Sequence, residues 1–469
     1  MEERDVVIIG GGPAGYAAAI RVSQLGGKAT LVEGDALGGT CLNRGCIPAR
    51  VLARAAEFIE MGLRAKDYGV IFKEKEVDFA KLMARKDVVV KTLVGGIRLL
   101  LTGNQVEIVE GDARFIDSST IGVALKDGTN RTISARHSII ASGSRSRKES
   151  VPGIAADRVL DPSDAFGLKE IPKSILVIGA GYVGVSLAAI FSRLGTKVTL
   201  LGESSRMLDG IDAEIVTAFE RELKKNKVLY HSESGIAKVR DGGDGEMDIF
   251  LEKKGEEVKV SAQWILAAEA RDANTDGIGL EALGIGLDEK KGIVVNSRME
   301  SGVRGIYAAG DVTMKYMWTP VAYMEGIVAA ENVMGKNSTM DYSTVPFWTN
   351  TIPGIAAVGL TEDEARGKGY EVRVGRFPFA GNGMATIMGE RTGLVKIVAE
   401  KKYGQILGIH ILGPGAADLI AEAALAMKLE ITPEDIGAVL HVHPSLSEAF
   451  WEAARDVNGD TLHFVSQNR

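Results

Sequence analysis

Two cysteines stand five residues apart in Gly38-Gly39-Thr40-Cys41-Leu42-Asn43-Arg44-Gly45-Cys46-Ile47-Pro48, and the 469-residue chain has no others. Sulfurs at that spacing can cycle between dithiol and disulfide, staple the fold, or bind a metal. A staple closing so short a loop removes little entropy from the unfolded chain, and cytoplasmic thiol buffers oppose it. Zinc would be short of ligands, because no further Cys or His lies nearby in the sequence. Redox cycling meets the fewest objections. On a regular helix, Cα atoms five residues apart are separated by roughly 8.6 Å, beyond the about 7 Å limit for a disulfide. A bond between the two therefore demands a distorted turn, which Gly45 accommodates. A strained bond at a helix entry is easily reduced and yields a low-pKa thiolate. The residues that follow, Ala49 to Phe58, read as helix.

A thiol cycle exchanges protons, and imidazole titrates in the range needed to carry them. The His-rich segment is His441-Val442-His443-Pro444-Ser445-Leu446-Ser447-Glu448. A carboxylate fixes a histidine's tautomer and stabilises its cation, so His443 with Glu448 is the candidate dyad; His441 reads as structural.

The elements that must position these groups come from two copies of one pattern. Val6-Val7-Ile8-Ile9 is a strand-like run, followed by Gly10-Gly11-Gly12-Pro13-Ala14-Gly15 and an alanine-rich helix. Ile175-Leu176-Val177-Ile178 leads in the same way into Gly179-Ala180-Gly181-Tyr182-Val183-Gly184 and a second helix. In strand–GxGxxG–helix the first glycine makes the turn, the second admits a pyrophosphate, and the third lets helix pack on strand. The helix N-terminus then offers unpaired N–H groups to the phosphates. Gly10, Gly12 and Gly15 thus predict one dinucleotide site, and Gly179, Gly181 and Gly184 a second. Glu33, about 20 residues beyond the first turn, is placed to accept hydrogen bonds from a ribose. Two further strand ends, Ala141-Ser142-Gly143 and Ala309-Gly310-Asp311, carry small residues able to approach a dinucleotide. From about Pro346 the pattern becomes β-rich alternation with a helix near Asp418 to Leu429, a third module without a nucleotide motif.

Composition narrows the function classes. Apolar residues at 45% and charged residues at 25% are those of a globular chain long enough for several domains. A formal charge of −7 gives no electrostatic support to a nucleic-acid or anionic-membrane partner. No apolar run reaches the roughly 18 residues of a membrane helix, and Met1-Glu2-Glu3-Arg4-Asp5 runs straight into a strand, so a cytoplasmic protein is expected.

With these motifs assembled, the chain resembles the pyridine nucleotide–disulfide oxidoreductases, and among them the dihydrolipoamide dehydrogenases. The segment 38–48, the turn Gly10 to Gly15, Ala141-Ser142-Gly143, Gly310-Asp311, Val358-Gly359-Leu360-Thr361 and His443 to Glu448 carry the likeness across nearly the whole chain. The resemblance implies an α/β protein with two Rossmann-like folds, for FAD and NAD, and a C-terminal α+β dimerisation domain. The limits it implies are 1–147 (FAD), 148–270 (NAD), 271–345 (completing the FAD domain) and 346–469 (interface). Cys41 is then the interchange thiol and Cys46 the charge-transfer thiol facing the flavin. His443, held by Glu448, comes from the other subunit of a homodimer. One non-covalent FAD per subunit is met by Gly10, Gly12, Gly15, Glu33, Gly39, Thr40, Arg50, Ala113, Ser142, Gly143, Asp311 and Thr319. NAD(H), the co-substrate, is met by Gly179, Gly181, Gly184, Glu203 and Arg271. The substrate is free dihydrolipoamide or a lipoyl-bearing carrier protein. Relatives with an additional C-terminal redox or metal-binding pair are set aside by the tail Phe464-Val465-Ser466-Gln467-Asn468-Arg469. Glutathione-type reductases stay open, since Thr319-Pro320-Val321-Ala322 looks like theirs.

Four positions depart from the lipoamide pattern on the nicotinamide side. The lysine and glutamate that pair beside the flavin are Arg50 and Ser186. The ribose carboxylate after Val198-Thr199-Leu200-Leu201 is Gly202, with Glu203 next to it. The Gly-Arg near the nicotinamide is Ala270-Arg271. A carboxylate at Glu203 repels a 2′-phosphate, so NADH is favoured over NADPH. The alternatives to an NAD-linked enzyme are a lipoyl or small-disulfide oxidoreductase that uses NAD(H) poorly and has another acceptor, a glutathione-reductase-like enzyme, and a non-catalytic flavoprotein subunit.

Overall fold

Strand Glu2–Ile9 lies in a mixed sheet, parallel to Ala29–Glu33 on one side and to Asn130–Ile140 on the other. The computed structural model describes residues 2–72, 76–147, 151, 153–154 and 156–466. The last three tail residues, Gln467-Asn468-Arg469, and the boundary expected after 147 lie outside that set. Alternation along the central strand decides its two faces. Val6 and Ile8 pack into one apolar cluster with Ala14, Ala18 and Val22, and Val7 and Ile9 into another with Phe115 and Ile121. Burial on both faces is why this strand reads as an unbroken apolar run. Glu107–Asp117 pairs Ala29–Glu33 with its first half and turns its second half against Thr120–Leu125. Ile306–Ala308, from much later in the chain, adds itself beside Asn130–Ile140.

The second sheet is parallel throughout, in the order Leu229–His231, Lys197–Leu201, Ser174–Ile178, Trp264–Ala267, Val159–Leu160. A three-stranded antiparallel sheet, Gly235–Gly243, Glu246–Lys253 and Glu256–Ala262, precedes its strand Trp264–Ala267. The ribbon Ser144–Ser146 with Arg271–Ala273 ties the two folds together. The C-terminal module is a five-stranded antiparallel sheet from Phe347–Thr349 to Ile406–Gly413, with helices Ala416–Lys428 and Ser447–Asp456 packed on it.

One cluster crosses all these units. Ala49, Leu52 and Ala53 of the helix that starts at Cys46 share it with Val185, Leu187 and Phe191 of the second fold and with Ile355, Ala357 and Leu412 of the C-terminal sheet. The thiol-bearing helix is therefore seated where three domains meet, and Arg193 clamps it through Glu60 at 2.5 Å.

Candidate functional site

Helix Gly39–Arg44 carries Cys41, and helix Cys46–Arg64 begins at the second sulfur. Between them Gly45 takes φ −143°, ψ −111°, which breaks the helical path. A Cβ on Gly45 would lie 3.0 Å from the Thr40 carbonyl oxygen, so glycine lets the two helices fold tightly together. The distortion expected of this spacing is thus a complete break, and the following helix starts three residues before Ala49 and ends beyond Phe58, at Arg64.

Both cysteines are in the thiol state. Cys46 opens its helix with no side chain capping the first turn, and Thr319 opens helix Thr319–Val333 in the same way. The Cys46 Sγ to Thr319 Oγ1 distance is 3.6 Å, so two helix N-termini converge on one sulfur. Anions are stabilised there by the unpaired N–H groups and the helix dipole. The hydrogen bond with Cys41, aided by the Thr319 hydroxyl and opposed by burial, lowers the Cys46 thiol to about 6. The same hydrogen bond, with burial, raises Cys41 well above the thiol range. Cys46 is the anion of the pair and Cys41 its proton-bearing donor.

The first glycine turn fits a dinucleotide. A Cβ on Gly15 would lie 1.8 Å from the Gly10 carbonyl oxygen, the close packing of helix on strand that the motif requires. Gly12, by contrast, faces open space except for the Cα of Gly39, 3.8 Å from where its Cβ would be, so the thiol segment begins directly on the turn. Glu33 accepts from Gly11 N at 2.5 Å and Asp35 N at 2.7 Å, and burial raises its carboxyl above the usual range. Ser142 and Asn274 exchange hydrogen bonds of 2.8 and 2.9 Å, and Gly143 has φ +73°. Asp311 accepts from the Ser144 hydroxyl at 2.7 Å. Ala113 is half-buried against the outer apolar cluster of the first sheet, and Thr40 lies in the short helix between Gly39 and Cys41.

The remaining candidates lie on the thiol-bearing helix, in the ribbon and around the second glycine turn. The Arg50 guanidinium bonds Glu57 at 2.6 Å and stands over the Trp348 ring, 5.4 Å from its centroid. Ser186, buried, accepts instead from Asn350 N at 3.1 Å. Arg271, expected on the nicotinamide side, binds Ser144 through Nε and Nη2 at 2.8 and 2.9 Å and so buttresses Asp311. Glu203 is exposed just past the strand Lys197–Leu201. Gly179 has φ +104°, Gly181 is open, and a Cβ on Gly184 would lie 1.8 Å from the Gly179 carbonyl oxygen, repeating the first turn.

His443 Nδ1 and Glu448 Oε1 are 2.9 Å apart, and the carboxylate's other oxygen accepts from Ser445 N at 2.9 Å. The His443 side chain is 78% exposed, and within one chain its hydrogen bond goes to Glu448 and not to a thiol. Among the described residues no group of His, Cys, Asp or Glu is arranged to hold a metal, and no helix is long and apolar enough to cross a membrane.

Three participants escaped the sequence reading. Glu325, fully buried, receives Gly310 N at 2.6 Å and the Tyr342 hydroxyl at 2.7 Å, fixing the loop that presents Asp311. Its signal was an acid on the apolar face of helix Thr319–Val333. The Tyr16 hydroxyl donates to Tyr323 at 2.7 Å in the cluster that Cys41 packs against. The rings of Tyr182, in the second glycine turn, and Trp318 lie 4.4 Å apart beside Thr319.

Comparison with known proteins agrees with this arrangement. The family described as pyridine nucleotide-disulphide oxidoreductase matches residues 4–326, and its dimerisation domain matches 345–454. A dihydrolipoyl dehydrogenase of Thermus scotoductus is 40% identical, with each chain covered completely. The mitochondrial dihydrolipoyl dehydrogenase of Pisum sativum is 38% identical over 98% of this chain and 93% of its own, and a leghemoglobin reductase of Vigna unguiculata is 39% identical over 97% and 87%. Among solved structures, the Cu(II) complex of the HOCl-induced flavoprotein disulfide reductase RclA from Escherichia coli is similar, with a TM-score of 0.87, 26% identity, and 97% and 99% of the two chains covered.

Proposed function

The chain belongs to the pyridine nucleotide-disulphide oxidoreductase family, and from that premise we propose that it oxidises dihydrolipoyl dithiols at Cys41 and Cys46 and delivers the electrons through FAD to NAD+. The observation that carries this reading is the placement of Cys46 at two converging helix N-termini, with the segment that bears it starting on the first glycine turn. Similarity to dihydrolipoyl dehydrogenases over the full chain supports the dithiol as substrate.

In the oxidised enzyme a substrate thiolate attacks the Cys41 sulfur. The bond from substrate to Cys41 forms as the Cys41–Cys46 bond breaks, and Cys46 leaves as the thiolate its site stabilises. The second substrate thiol loses its proton to a base and displaces Cys41, closing the substrate disulfide. His443, oriented by Glu448, is that base, reaching the thiols of the partner subunit in a homodimer held by the dimerisation domain. FAD, when bound, would supply the two-electron relay between this dithiol and a nicotinamide. Gly10, Gly12 and Gly15 would hold its diphosphate, Glu33 its ribose, and Asp311, buttressed by Ser144 and Arg271, its ribityl chain.

A second reading, disulfide chemistry with weak use of NAD(H), is favoured by Arg50 and Ser186. The charge that would pair across to the second fold is tied instead to Glu57 of its own helix. Anaerobic stopped-flow mixing of the FAD-loaded protein with dihydrolipoamide, glutathione, NADH and NADPH tests both. Fast flavin reduction by dihydrolipoamide is expected; reduction by glutathione or NADPH in its place overturns the assignment.

A further inference from the structure

Backbone hydrogen bonds set the two dinucleotide folds in a common register. In the first, Gly10 N donates to Val32 O at 2.8 Å and Ala141 N to Ile9 O at 2.8 Å; in the second, Gly179 N donates to Leu201 O at 2.9 Å and Ala268 N to Ile178 O at 2.9 Å. Gly11 is therefore equivalent to Ala180, Glu33 to Gly202, and Ser142 to Glu269.

Within that register a carboxylate has changed ends. In the first fold Gly11 leaves room for Glu33, whose Oε2 is 2.9 Å from the point a Gly11 Cβ would occupy. In the second, the Ala180 methyl fills the corresponding space. A Cβ on Gly202 would lie 2.8 Å from it and 3.2 Å from the Tyr230 hydroxyl, so the strand end has no room for an acid. The acid appears across the turn. Cγ and Cδ of Glu269 lie 2.2 and 3.1 Å from where a Gly179 Cβ would be, on the residue that holds Ser142's place. The helix behind this turn, Tyr182–Leu194, starts without a side-chain cap and would otherwise present its N–H groups and positive dipole end to a diphosphate.

We propose that Glu269 weakens dinucleotide binding by the second fold. Its carboxylate opposes the diphosphate of a pyridine dinucleotide at the Gly179–Gly184 turn, holding NAD(H) affinity low, and removing the charge strengthens binding. The proposal rests on the second fold being the pyridine-nucleotide site of the oxidoreductase proposed above.

The test uses the full-length FAD-loaded protein with Glu269→Gln, which removes the charge and keeps the shape, and Glu269→Val. Calorimetric titration with NAD+ should give a Kd about tenfold lower in both, the order expected of one like-charge contact in a partly exposed site. Adenosine, which has no phosphate, should bind all three proteins alike. An unchanged Kd for NAD+ in both variants, a gain in Val without one in Gln, or an equal gain for adenosine each overturns the proposal. Anaerobic reduction by dihydrolipoamide, run on the same samples, involves only the thiols and the first fold. Its absence would defeat the functional reading, while the comparison of NAD+ affinities would still decide the role of Glu269.

Discussion

Thr319→Val isolates one source of the Cys46 anion. The substitution deletes the hydroxyl 3.6 Å from the sulfur and keeps the branched shape that starts helix Thr319–Val333. A hydrogen bond to a charged group stabilises it by about 1.5–3 kcal/mol. At the lower end, about 1.4 kcal/mol is about one pKa unit. The Cys46 thiol, about 6 in the intact site, should then titrate roughly one unit higher. Because the thiolate is the reactive form, iodoacetamide should label Cys46 in the reduced variant about fivefold more slowly at pH 6 and equally fast at pH 9. Cys41→Ala removes the largest lowering influence and should displace the profile further than Thr319→Val. Labelling followed by peptide mass analysis gives the profile for Cys46 alone. Superimposable pH profiles for the wild type and Thr319→Val would refute the assignment of Thr319 as a thiolate partner.

Replacing His443 by Gln should lower dihydrolipoamide turnover by about 10²–10⁴-fold with flavin content unchanged, the span usual for loss of a positioned base; near-normal turnover would remove His443 from the mechanism. Burial pushes the Glu325 carboxyl up to about 7. Since this folded value exceeds the unfolded one, the stabilisation is full below the ordinary 4.5 and lost as pH rises through 7. Thermal release of flavin should therefore occur at lower temperature from pH 5 to 8, by a difference of about 3 kcal/mol, and Glu325→Gln should flatten that dependence; equal slopes in both proteins count against it. Lys396 is 4% exposed and binds Asp212, Glu214 and Glu362 at 2.8, 3.2 and 2.9 Å, joining the second fold to the C-terminal sheet. Lys396→Met strands Asp212, itself 4% exposed, and should destabilise that junction by about 3–5 kcal/mol, read as a lower unfolding midpoint; an unchanged midpoint would mean the network contributes nothing.

Local pattern made part of this molecule readable in the sequence. Each glycine turn, from its strand to its helix, is written in consecutive residues, and the thiol segment is equally contiguous. Side-chain partners that depend on register between distant strands were not readable. The sequence leaves the Arg50 charge without a carboxylate, since Ser186 stands at the partner position; Glu57, two turns along the same helix, meets it at a spacing the sequence displays. Arg271, a nicotinamide candidate by motif, lies in the ribbon with Ser144–Ser146 and binds Ser144, a partner only strand register reveals. Lys396 sits in Leu394–Glu400, a strand so apolar that a lone lysine there signals buried acids elsewhere, though not which ones. Glu203, the candidate ribose acid, lies just past the strand that ends at Leu201 and is exposed.

The break at Gly45 joins the legible and the illegible parts. Sequence spacing alone required a distortion between the cysteines, since an unbroken helix would hold their Cα atoms roughly 8.6 Å apart. That argument concerns only bringing sulfurs together. The structure adds that the same break makes Cys46 the first residue of a 19-residue helix, freeing N–H groups that an unbroken helix would have used on the preceding turn. One glycine therefore does two things: it permits the two sulfurs to approach and it sets Cys46 at a helix start, where a thiolate is stabilised. Cys41, in the first turn of the short preceding helix and half-buried, donates to Cys46, and that hydrogen bond with burial makes it the proton-bearing partner. The two thiols thus meet through chain geometry within six residues, and Thr319, arriving from 273 positions away, sets its hydroxyl beside the Cys46 sulfur.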